Sequence, residues 1–264
     1  MQESPASLQE SFFLLLSVMD ELREKCPWDR KQTIQSLRPM TIEETYELGD
    51  AILKADWNLL KEELGDLFLH IIFYVRIARE ENKFTLEDVL KAITEKLIIR
   101  HPHIYGDVEV RNEEEVKKNW EKLKLKEGKE SVLSGVPVGL PALVKAIRIQ
   151  EKVKQVGFEW DHREQVYEKI MEELQELQVA VKENDASAME EELGDLLFSV
   201  VNYARFLKVD ADSALERTNL KFINRFQLLE KEVRSEGKNL QEMSLEEMDE
   251  LWNAIKKRNK ENSK

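Results

Sequence analysis

Residues 62–68 read EELGDLF and residues 191–197 read EELGDLL; upstream of them, residues 43–47 read EETYE and residues 172–176 read EELQE. Glu44 precedes Glu63 by 19 residues, and Glu173 precedes Glu192 by the same 19. Recurrence at a fixed offset marks a duplicated supersecondary unit. What recurs is a set of acids in register with apolar residues. At about 3.6 residues per turn, Glu44 and Glu47 share a helical stripe, as do Glu63 and Asp66, Glu173 and Glu176, and Glu192 and Asp195. Two such helices packed antiparallel bring four carboxylates together.

Outward from these motifs the periodicity stays helical. Leu60, Leu64, Leu67, Ile71 and Val75 give residues 57–81 a wide apolar face. Helices are predicted over 8–24, from Thr41 to about Lys54, over 57–81, over 85–100 and over 112–125 around Trp120. The one beginning at Thr41 carries a T-x-x-E capping pattern with Glu44. Gly128, Gly135, Pro137, Gly139 and Pro141 then crowd into residues 128–141, which read as a linker. Beyond it helices are predicted near 142–155, 163–183, 186–207, 211–235 and 244–258. No segment alternates with period two. The expected fold is all-α: two tandem helical-bundle domains, 1–127 and 142–264, joined by that linker.

Composition narrows the function classes. With 53 acidic against 40 basic residues the formal net charge is −13, which argues against nonspecific nucleic-acid binding. One cysteine, Cys26, excludes a disulfide framework or a Cys-rich zinc site within one chain. The start of the chain lacks a basic n-region, and the apolar run 12–16 is too short to span a membrane, so a cytoplasmic location is expected.

Four close carboxylates repel one another and must take up protons unless cations sit among them. Oxygen-only donors favour hard ions, Mg²⁺ or Mn²⁺. In so acidic a chain a single EExxE reads as a solvated face, but solubility requires no register, and two copies at equal spacing do have one. Gly65 and Gly194 interrupt helices beside the acids, at about 1 kcal/mol each relative to Ala, and would admit a close backbone or ligand. Lys96 and Arg100 share a helix face, as do Lys221 and Arg225, and each pair suits phosphate. Trp120 and Trp252 could stack on a base. Asn202, near the stripe of Asp195, could hydrogen-bond a ligand; its counterpart Phe73 cannot. Trp28 and Trp160 read as packing anchors, and His101 and His103, around Pro102, as loop residues. His70 follows Asp66 by one turn, but Ser199 stands in its place in the second half, so the histidine is no shared requirement.

EExxE followed after a spacer by ExxD, with CPWD near the start, RHPHIYG closing the first half and NLKFINRF in the second, resembles the MazG family of nucleoside triphosphate pyrophosphohydrolases over nearly the whole chain. The resemblance implies Mg²⁺-dependent hydrolysis of NTPs or dNTPs to the monophosphate and pyrophosphate by metal-activated water, in a homodimer. It implies Glu44, Glu47, Glu63, Asp66, Glu173, Glu176, Glu192 and Asp195 as metal ligands, with Glu43 and Glu172 in outer or water-orienting roles. It also strengthens Lys221, Arg225, Lys96 and Arg100 as nucleotide contacts. The fuller second half is expected to be the main catalytic centre. Alternatives are a dUTPase-like phosphohydrolase for one noncanonical nucleotide and a noncatalytic dimeric regulatory scaffold. A di-iron bundle would want Glu-x-x-His pairs with these acids, which the chain lacks.

Overall fold

In the computed structural model of this chain, two residues separate the helices that carry the acids in each half. Helix α2 (Ile34–Lys54) meets α3 (Trp57–Glu80) through Ala55 and Asp56, and a later pair, Arg163–Glu183 and Ala186–Phe206, meets through Asn184 and Asp185. So short a turn makes the partners antiparallel. Its chemistry is the same twice. Ala55 (φ 52°) and Asn184 (φ 55°) are left-handed. The N–H groups of Asp56 and Asp185 bond back to Ala51 O (3.1 Å) and Ala180 O (3.2 Å), a Schellman closure. Each aspartate then caps the next helix: Asp56 Oδ1 accepts from Asn58 and Leu59 N–H, and Asp185 Oδ1 from Ser187 and Ala188 N–H.

The described residues are 5–112, 115–116, 119–120, 123 and 131–261, and no strand occurs among them. They belong to two compact units that divide between Leu123 and Lys124. Most of the charged helix expected over 112–125 lies outside the described residues.

The first unit also contains α1 (Pro5–Lys25), α4 (Leu86–Arg100) and the short α5 (Pro102–Tyr105). Met19, Leu37, Ile72, Phe73 and Ile77 form its core, with Met40 and Tyr74 packed against it. Ion pairs clamp α1 to α3: Arg76 Nε lies 2.6 Å from Asp20 Oδ1 and Arg23 Nη2 2.9 Å from Glu80 Oε2. The hydrogen bond from Arg23 holds the Glu80 carboxyl below its usual range.

The helix expected to begin at Thr41 begins at Ile34. Thr33 is the N-cap: its hydroxyl accepts from Ser36 N–H (3.1 Å) and its own N–H donates to Ser36 Oγ (2.9 Å). Pro39 lies inside the helix, which loses one backbone hydrogen bond there but continues. Thr41 is an interior residue whose hydroxyl donates to Leu37 O (3.0 Å) and lies 2.7 Å from Tyr74 Oη.

In the second unit, α6 (Ala142–Lys154) precedes the hairpin of α7 (Arg163–Glu183) and α8 (Ala186–Phe206), and α9 (Ala211–Ser235) and α10 (Leu245–Glu261) follow. Leu229, Val233 and Ile255 form a buried cluster in it, lined by Leu251 and Trp252. Gln150 on α6 donates to Phe198 O on α8 (2.8 Å). Part of the expected linker is tied down: Lys152 Nζ donates to Val132 O (3.1 Å) and Lys145 Nζ to Val138 O (2.7 Å). Among the described residues no helix is long and apolar enough to cross a membrane.

Candidate metal centre

The antiparallel hairpins place the acids as their spacing requires. Side-chain oxygens of Glu44, Glu63 and Asp66 lie within 4.8 Å of one another in the first unit. Those of Glu173, Glu176 and Glu192 do so in the second. Glu47 and Asp195 are not in these trios, yet their charge is felt there. Glu47 repels Glu44 and Glu63, and Asp195 repels Glu192.

The electrostatics record the crowding. Desolvation, then repulsion from Asp66, Glu47 and Glu43, raises the Glu44 carboxyl above its ordinary value. Glu63 rises through desolvation and then Glu47, Glu44 and Asp66, and Glu192 through desolvation and then Glu176, Glu173 and Asp195. The buried member differs between units: Glu63 on α3 is 5% exposed, whereas its counterpart in burial is Glu173 on α7 at 4%.

A basic residue that the sequence reading passed over explains part of that difference. Lys169 Nζ lies 2.8 Å from Glu173 Oε1 and 2.8 Å from Glu172 Oε1. Hydrogen bonds to Glu172 and Glu173 raise the Lys169 pKa well above the ordinary lysine value. The register that pairs Glu44 with Glu173 pairs Met40 with Lys169. The signal was legible as K-x-x-E and K-x-x-x-E spacing in residues 169–173.

The residues expected to hold nucleotide pair off within each unit. The Arg100 guanidinium stands 5.6 Å from the Trp120 ring centroid, and that of Arg225 5.9 Å from Trp252. Phe222 completes the second group, its ring 4.9 Å from Trp252. Lys96 and Lys221 remain exposed on the same helices. Asn202 spends its carbonyl inside the protein, where Oδ1 accepts from Arg205 Nη2 (2.7 Å) and Arg205 also pairs with Glu159. Its amide nitrogen is the group left for a ligand.

Other expectations fare differently. Trp28 and Trp160, read as packing anchors, are about half exposed, at 54% and 45%. A Cβ added at Gly65 or Gly194 meets nothing within 4 Å, so close backbone packing within the unit does not require either glycine. His101 joins α4 to α5, with its Nδ1 2.6 Å from Leu97 O and its ring edge-on to Trp120 at 4.9 Å, whereas His103, expected in a loop, lies within the short helix α5 that Pro102 opens. His70 is buried, its Nδ1 has no hydrogen-bond partner, and desolvation holds its pKa below the ordinary value against the pull of Asp66.

The model of the MazG nucleotide pyrophosphohydrolase domain matches residues 32–105 and again 162–228, each span containing one acidic hairpin. The nucleoside triphosphate pyrophosphohydrolase/pyrophosphatase MazG of Thermotoga maritima is 47% identical, across 92% of this chain and 94% of its own. The nucleoside triphosphate pyrophosphohydrolase of Escherichia coli K12 is 40% identical, across 92% of this chain and 96% of its own. The uncharacterised YabN protein of Bacillus subtilis is 42% identical across 94% of this chain, which spans 52% of YabN.

Proposed function

Because this chain belongs to the MazG family, whose domain it carries twice, we propose that it is a nucleoside triphosphate pyrophosphohydrolase working with Mg²⁺ at its carboxylate clusters. The observation that carries the metal reading is the pair of trios whose oxygens lie within 4.8 Å of one another. The donors fit the ion: all are hard oxygens, and Glu44, Glu63 and Glu192 are raised by desolvation and then by mutual repulsion, which a divalent cation relieves. When bound, Mg²⁺ or Mn²⁺ supplies charge neutralisation for the triphosphate and makes water a better nucleophile near neutral pH.

The protein's part is positioning and proton handling. Burial limits the side-chain freedom of Glu63 and Glu173, so their oxygens are presented in one orientation. On this reading Glu43 on α2 and Glu172 on α7, both exposed beside Glu44 and Glu173, orient water and accept its proton. Arg225 and Trp252, with Lys221 on the same helix as Arg225, suit a nucleotide by guanidinium–phosphate pairing and base stacking. The second unit is the main catalytic centre on this reading, since it also supplies Asn202. The first cluster binds metal and assists.

The working form is a homodimer in the cytoplasm. Supporting the dimer, Leu64, Phe68 and Ile71 on α3, and Leu193, Leu197 and Val200 on α8, expose apolar surface that a second copy would cover. The deciding experiment incubates the protein with each NTP and dNTP plus Mg²⁺ and identifies products. Monophosphate with pyrophosphate is expected; diphosphate with orthophosphate contradicts the reading. Turnover of one noncanonical nucleotide alone would favour the narrower dUTPase-like enzyme.

A further inference from the structure

Both clusters crowd carboxylates together, but among the described residues only the second has a cation tethered to it. Lys169 on α7 reaches Glu173 one turn away and Glu172 beside it, both at 2.8 Å. Glu173 is 4% exposed and belongs to the trio with Glu176 and Glu192. At the matching register of the first unit Met40 packs against the apolar core. Among the described residues, no ion pair reaches Glu44, Glu63 or Asp66.

We infer that Lys169 is a built-in counter-ion for the second cluster, so that free divalent cation loads the first cluster in preference to the second. The inference rests on the metal-binding reading above and assigns the two units different loading. The physical reason is competition. A divalent ion using Glu173 Oε1 meets an ammonium already on that oxygen, and must displace it or bear its repulsion at a few ångströms, where unit charges interact by several times the thermal energy at an effective dielectric of about 20. The first cluster offers comparable oxygens with no such competitor. Because the ammonium is held on the same helix as its acids, the difference belongs to each unit alone and does not depend on substrate.

Titration of the metal-free full chain with Mn²⁺ alone, counting free ion by electron paramagnetic resonance, tests this. Two classes of site are expected, and Glu44→Gln with Glu63→Gln should remove the tighter one. Lys169→Met should tighten the weaker class by about tenfold or more, whereas Lys169→Arg, which keeps the charge, should leave it weak. Met40→Lys should weaken the tighter class; circular dichroism and melting establish that this core variant folds, and Lys169→Met carries the test if it does not. Two equal classes that Lys169→Met leaves unchanged would overturn the counter-ion role while leaving the metal reading intact. No Mn²⁺ retention at either cluster up to millimolar concentration would overturn the metal reading itself, and the inference with it.

Discussion

At matching positions on the two acidic hairpins, one unit has Met40 and the other Lys169, and the surrounding acids differ accordingly. In the first unit the core extends to the edge of the cluster, Glu63 is buried without a basic partner among the described residues, and Glu44 and Glu63 are both raised. In the second, a lysine holds the buried Glu173, and the raised carboxylate is Glu192 on the facing helix. A duplicated motif can keep its geometry while its charge balance diverges. One copy is left to be neutralised from outside; the other carries part of its neutralisation within the fold.

The largest expected effect tests which unit does the chemistry. Glu173→Gln should lower kcat by on the order of 10²–10³-fold, as loss of a group that stabilises developing charge does. Glu44→Gln should cost much less. The check is pyrophosphate release with saturating Mg²⁺, and equal losses would erase the proposed ranking of the two units.

Next in size is the dependence of stability on pH without metal. Glu44, Glu63 and Glu192 have folded-state pKa values above the ordinary glutamate value of 4.5. They therefore hold protons more tightly folded than unfolded. Their contribution to stability is complete below 4.5 and is lost as pH rises through the raised values. Glu80, lowered by Arg23, acts oppositely: its contribution is present above 4.5 and lost as pH falls through its lower folded value. In EDTA the melting temperature should therefore rise as pH falls through the raised values towards 4.5, and Mg²⁺ should flatten that slope. Glu63→Gln should melt higher than the unsubstituted chain in EDTA at pH 7 and gain less from Mg²⁺.

The helix starts offer a smaller comparison. Thr33 and Ser36 cap α2 reciprocally through their hydroxyls, whereas at α7 His162 N–H donates to Gln165 Oε1 (3.0 Å) and Gln165 N–H to the backbone His162 O (3.2 Å). Thr33→Ala should cost about 1 kcal/mol in urea unfolding of the metal-loaded chain. Gln165→Ala should cost less.

The smallest expected effect concerns the turns. Asparagine tolerates the left-handed conformation better than alanine. Ala55→Asn should therefore stabilise, and Asn184→Ala destabilise, each by about 0.5–1 kcal/mol. Changes of the same sign would show that the two turns are not equivalent.

The hairpins and their acids were readable because helical period, turn length and the 19-residue offset all constrain the same thing. The start of α2 was not, because Pro39 reads as a break and the true cap at Thr33 uses serine where the familiar pattern has glutamate. Lys169 was missed for a different reason: in a chain with 40 basic residues, one lysine a turn from an acid looks like any surface pair until burial of Glu173 gives it weight. The exposure of Trp28 and Trp160 depends on tertiary packing that local pattern does not encode. Which three of four acids converge likewise depends on side-chain reach across the hairpin, so Asp66 joins one trio and Glu176 the other.

Anomalous diffraction from crystals of the full chain soaked in Mn²⁺ tests the account's central claim most directly. Peaks are expected between Glu44, Glu63 and Asp66 and between Glu173, Glu176 and Glu192. Manganese bound elsewhere, with both trios empty in crystals whose dissolved protein still hydrolyses triphosphate in Mn²⁺, would contradict it.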